Sequence, residues 1–174
     1  MKKGFTLIEI LVVSGIMVLF SLTIVSLFLS TIRGNTKTQV MQKVRQDGDF
    51  ALKTMTRLIK NADSVEIGSG CTEVGTTDVS IDVNDIYGGT TTFSLVEWGA
   101  DAIDRIASNS GGIDYFLTGI TVNTSDLNFT CYEMSLGNQI VTISFTLTIG
   151  GEAGLQAQEK EEQEFKTSAS LRKY

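Results

Sequence analysis

Residues 10–32, ILVVSGIMVLFSLTIVSLFLSTI, carry no charge over 23 consecutive positions. As a helix rising about 1.5 Å per residue, this run spans about 35 Å. That is enough to cross a bilayer core of about 30 Å with some tilt. Two alternatives compete with a membrane span. A buried core helix of a soluble domain is usually shorter and more interrupted. A secretory signal has an apolar stretch of about 7–15 residues and an Ala-x-Ala-like cut after it. Here the run is longer, no Ala-x-Ala follows, and the flank Arg33-Gly34-Asn35-Thr36-Lys37 looks like a membrane exit.

Composition removes several classes of function. The 174 residues include no His and two Cys. Without His there is no Ser-His-Asp triad, no Cys-His pair and no imidazole metal site. No nucleophile elbow, phosphate loop or zinc signature occurs. Asp101 and Asp104 form an acid pair, but on a segment that reads as surface. An enzyme is therefore not expected, and neither a metal nor a cofactor is. The formal net charge of −6 argues against a nucleic-acid partner, which would call for a basic footprint.

That charge is unevenly placed. Residues 33–60 hold seven basic groups and two acids, and residues 61–174 hold five basic groups and 17 acids. A basic stem and an acidic head in one chain either reflect surface composition alone or draw neighbouring copies together at a salt-dependent strength.

The chain opens Met1-Lys2-Lys3-Gly4-Phe5-Thr6-Leu7-Ile8-Glu9. Lys2 and Lys3 form a very short basic leader, Gly4 lets a protease approach the backbone closely, and Phe5 begins the apolar segment. Glu9 sits one turn into the candidate membrane helix. A carboxylate there costs about 2.5–3.5 kcal/mol on insertion scales, so its partner should be named. Glu9 either snorkels to the interface or is paired. A cut after Gly4 would free the Phe5 amine, and that amine can pair with Glu9 of an adjacent copy and fix the axial offset between the two.

This basic leader, Gly before Phe, acid five residues on and long apolar run resemble the N-terminus of type IV prepilins and type II secretion pseudopilins. The resemblance implies a prepilin peptidase/methyltransferase that cuts between Gly4 and Phe5 and N-methylates Phe5. It implies an assembly role for Glu9. The partners it implies are other pilin or pseudopilin subunits, an inner-membrane assembly platform, and membrane lipid before assembly. It also implies a single-pass inner-membrane protein with its N-terminus inside and its head outside, which then enters an extracellular or periplasmic filament. Lys/Arg counting points the other way, since two precede the span while Arg33, Lys37, Lys43 and Arg45 follow it. The expected topology follows the resemblance. Major pilins often carry a Pro in the apolar segment; this chain has no Pro, which favours a minor subunit. Residues 49–62 resemble the same stretch of minor pilins and J-type pseudopilins. A non-polymerising, membrane-anchored binding module is the competing function from another class.

Beyond Gly34, apolar residues recur at Val40, Val44, Ala51, Met55, Leu58, Ile59 and Ala62 at helical intervals. One long helix is expected over residues 5–63, softened near Gly34 and Gly48. From Ser64 the period changes to two, at residues 78–83, 91–98, 119–124, 139–149 and loosely 166–171, with Gly-Gly pairs as punctuation. The expected fold class is α+β, a long N-terminal helix packed on an antiparallel sheet with one wet face. Four segments follow: leader 1–4, transmembrane and assembly helix 5–33, amphipathic stem 34–63, and extracytoplasmic β-rich head 64–174. The acid-rich stretch 156–164 is expected as a solvated loop or exposed face. Cys71 and Cys131, 60 residues apart, either pair as a disulfide in an exported head or stay as two buried thiols.

Overall fold

The computed structural model describes residues 6–99, 103–134, 138–149 and 161–171. The chain divides into two units, Met1–Gln39 and Val40–Tyr174. One helix, α1 (Leu7–Lys60), contributes to both.

In the first unit α1 is apolar all round. The stretch Leu7–Ile32, 26 residues, is long and apolar enough to cross a membrane, and none of it is buried. A helix with no polar face that is left fully exposed suits a hydrocarbon surrounding or a helical neighbour, and not water. This carries the coarse expectation of a single membrane-compatible helix near the N-terminus.

In the second unit α1 is amphipathic. Val44, Ala51, Met55 and Ile59 are buried, with Ala62 just past the helix end. Their spacing places them on one face, with Lys53, Arg57 and Lys60 exposed elsewhere. That stripe joins the core of a unit in which the described residues form nine strands: β1 (Ser64–Glu66), β2 (Thr76–Asp78), β3 (Ile81–Asn84), β4 (Thr90–Trp98), β5 (Ile103–Ser110), β6 (Ile113–Phe116), β7 (Val122–Met134), β8 (Asn138–Ile149) and β9 (Glu161–Ser170).

The strands form two antiparallel sheets where one was expected. The order is β1-β3-β4-β5-β6 in the first and β2-β7-β8-β9 in the second. Residues 78–83, expected as one strand, are divided between them: Asp78 ends β2 and Ile81 begins β3. One helix and two antiparallel sheets remain compatible with an α+β layout.

Local chemistry fixes the turns. Gly111 and Gly112 both have positive φ, 64° and 82°, and link the paired residues Ser110 and Ile113. This is the two-residue loop whose twist suits a hairpin. At the β3–β4 turn the Asp85 carboxylate accepts the Tyr87 N–H at 2.7 Å and the Gly89 N–H at 2.9 Å. Asp126, with φ 54°, makes a bulge in β7 between Ser125 and Asn128. The acid-rich stretch does not stay a loop throughout: residues 161–164 begin β9, while 156–160 lie outside the described residues.

Gly48 was expected to soften the helix, but α1 runs through it unbroken. Its role is close approach. A Cβ at Gly48 would overlap the Phe165 ring, which stacks on Phe145 with centroids 5.3 Å apart. Gly48→Val is therefore expected to lower the unfolding free energy by about 1–3 kcal/mol through overpacking. Trimming the ring in Gly48→Val/Phe165→Leu should return part of that loss, as read from urea unfolding of the full chain in detergent. A double variant less stable than the two single losses added together would contradict this packing.

Candidate functional site

The candidate site is the start of α1. Thr6 stands immediately before the helix, and its carbonyl accepts the N–H of Glu9 at 3.1 Å and of Ile10 at 3.3 Å. Its hydroxyl also accepts the Glu9 N–H, at 3.4 Å. Thr6 is thus the N-cap, satisfying donors that a helix start leaves unpaired. Glu9 lies three residues on, in the first turn.

Thr-x-x-Glu is the sequence pattern of a capping box. The signal is present in the sequence at Thr6 and Glu9. It gives Glu9 a local advantage, since a carboxylate in the first turn lies at the positive end of the helix dipole. The Glu9 side chain is exposed, and among the described residues it has no hydrogen-bond or ion-pair partner. Gly4 and Phe5, the expected cleavage and methylation positions, lie outside the described residues.

Four of the hydroxyls that interrupt the apolar helix are satisfied within it. Ser14, Ser21, Thr23 and Thr31 donate to the carbonyls of Leu11, Met17, Phe20 and Leu27 at 2.7–2.9 Å. Such back-bonding removes the cost of placing a hydroxyl in hydrocarbon. Val13, Ile16, Met17, Phe20, Ser21 and Ile24 line an open apolar groove of about 440 Å³ along this helix. A Cβ at Gly15 would meet no atom within 4 Å, so that surface is open.

Two fixings organise the second unit. Cys71 and Cys131 form a disulfide with their Cα atoms 5.0 Å apart. Cys131 is fully buried in β7, opposite Thr76 of β2. The bond ties the segment between β1 and β2 to the longest strand. Glu133 reinforces it by donating its N–H to the Thr72 carbonyl at 3.0 Å.

The second fixing is Arg105 of β5, which the sequence pattern did not single out. It is buried at 7% exposure. Both Nε, at 2.9 Å, and Nη2 donate to the Thr118 carbonyl. The guanidinium lies 4.1 Å from the Phe116 ring centroid and 5.9 Å from that of Trp98. Burial pushes its pKa below the ordinary arginine value, and the Asp47 carboxylate on α1 partly offsets this. Asp47 also accepts the Gly119 N–H at 3.2 Å. The turn after β6 is thereby pinned to β5 and to α1 together.

No set of three or more His, Cys, Asp or Glu placed to hold a metal occurs among the described residues. Asp104 lies in β5, and Asp101 lies outside the described residues. No family model, no curated protein and no solved structure matches the chain at a significant level.

Proposed function

We propose that this chain is a structural subunit, a minor pilin, of a type IV pilus-like filament or the corresponding secretion pseudopilus. The observation that carries the proposal is an exposed apolar helix of 26 residues that begins with Glu9 in its first turn and follows Lys2-Lys3-Gly4-Phe5. The resemblance to prepilin N-termini rests on those residues.

The proposed sequence of events needs no chemistry from the chain itself. The precursor sits in the membrane with its leader on the cytoplasmic side. A prepilin peptidase cuts after Gly4 and methylates the Phe5 amine. Removing Lys2 and Lys3 takes away two charges that hold the helix in the membrane. An assembly platform lifts the subunit, and Glu9 meets the Phe5 amine of an adjacent subunit. The apolar helices then exchange lipid contact for helix contact. Small and back-bonded residues such as Gly15, Ser14 and Ser21 favour close approach. The disulfide-tied second unit forms the outer surface.

Shear fractionation of cells that carry the assembly machinery tests this. The chain is expected in the sheared filament fraction. Retention of all of it in the membrane, with function intact, would favour the non-polymerising binding module.

A further inference from the structure

The second unit carries two surfaces of opposite charge, one on α1 and one on the five-stranded sheet. Lys53, Arg57 and Lys60 of α1, with Leu52 and Asp49, flank a groove of about 550 Å³ closed on one side by Thr167 of β9. The three cations recur at intervals of four and three, which puts them on one helix face. All three are exposed, and among the described residues their side chains have no hydrogen-bond or ion-pair partner. Asp49 is the one carboxylate in the lining.

The opposite charge lies in a single row. The strand register aligns Glu66, Asp82, Thr92, Asn109 and Asp114 side by side across β1, β3, β4, β5 and β6. Their chain neighbours Val65, Ile81, Val83 and Phe93 are buried, so the row occupies the face turned away from the core. The adjoining row, Ser64, Asn84 and Thr90, holds no cation.

The neutral members fix the acids in place. Thr92 donates to Asp82 at 2.5 Å, Asn109 to Asp114 at 2.6 Å and Asn84 to Glu66 at 3.4 Å. Glu66 nevertheless stands directly opposite Asp82. Like charges in that position destabilise a sheet unless a cation is brought to them.

We infer that the groove of one copy takes the carboxylate row of a second copy, in a head-to-tail contact. Spacing matches the first two acids: Glu66 and Asp82 stand on neighbouring strands about 4.8 Å apart and suit successive cations that rise about 6 and 4.5 Å along the helix, while Asp114 lies three strands beyond Asp82. A phosphate or an anionic lipid headgroup would satisfy the groove and leave the row unmatched. Because the contact joins two different surfaces, a pair keeps one of each free and can add further copies, as a filament where the rotation between copies does not close. It deepens the filament proposal by naming how heads engage, yet it does not require the N-terminal cut.

Sedimentation of the full-length chain in an uncharged detergent tests it, at about 50 mM and about 500 mM salt. The wild type is expected to self-associate at low salt and to weaken about tenfold or more at high salt. Lys53→Glu/Arg57→Glu and Glu66→Lys/Asp82→Lys, each alone, should weaken association by about tenfold or more. Combining all four should return it to within about threefold of the wild type, which also shows that the chain still folds. Association unchanged by either reversal, or not restored by the combination, overturns the inference. So does a groove reversal that abolishes binding to phosphatidylserine vesicles while self-association persists. Glu9→Ala should leave this detergent-phase contact intact, so a failure here and a failure of the filament proposal are told apart.

Discussion

Glu9→Ala is expected to be cut after Gly4 as efficiently as the wild type and to drop out of sheared filaments by about 100-fold or more. Removing one partner of a buried ion pair costs about 3–5 kcal/mol. The substitution also relieves the membrane-bound monomer of a carboxylate that costs about 2.5–3.5 kcal/mol in hydrocarbon. Both effects hold the variant in the bilayer. The Thr6 cap offers a different role for Glu9, and Glu9→Gln separates the two. A glutamine keeps the capping-box pattern and loses the charge, and loss of an N-cap interaction alone costs about 1 kcal/mol. Pairing with a neighbour's amine predicts that Gln fails nearly as badly as Ala. A local capping role predicts that Gln assembles almost normally. Quantitative immunodetection of sheared and membrane fractions reads the difference.

Replacing both cysteines, Cys71→Ala/Cys131→Ala, is expected to lower the stability of the second unit by about 4 kcal/mol in the chain-entropy model for a closed loop of about 60 residues. Folded domains typically hold only about 5–15 kcal/mol in total. The variant should therefore unfold at markedly lower urea and be digested faster by added protease. The test is urea unfolding of the full chain in detergent, with and without reductant. The wild type should fall to the variant's midpoint on reduction. Equal midpoints for the oxidised and reduced wild type would mean that the bond does not constrain the unfolded chain.

Periodicity was a good guide where one face of an element is wet. Val44, Ala51, Met55 and Ile59 stand out at helical spacing, and the same residues are buried in the core. The alternation in 91–98 and 139–149 marks β4 and β8 to within one residue. It failed where both faces of a strand are covered. Arg105, Ile106, Ala107 and Ser108 are consecutive and all buried, so β5 shows no alternation and was not expected. Its arginine is satisfied by a carbonyl 13 residues away and by two aromatic rings, contacts that exist only once the sheet has formed. The edge strand β6, four residues long, is too short to show a period. The division into two sheets turns on the break at Val79 and Ser80, which an alternating pattern runs straight through. At the helix start the Thr-x-x-Glu spacing marks the Thr6 cap, while the charge of Glu9 alone points to a partner and not to the cap.

The most direct measurement is the mass and N-terminal sequence of the chain recovered from sheared filaments. The expected result is a 170-residue polypeptide, the 174 residues less the first four, that begins at Phe5 with one methyl group on its amine. Filaments of normal abundance built from chains that still begin at Met1 would contradict the account.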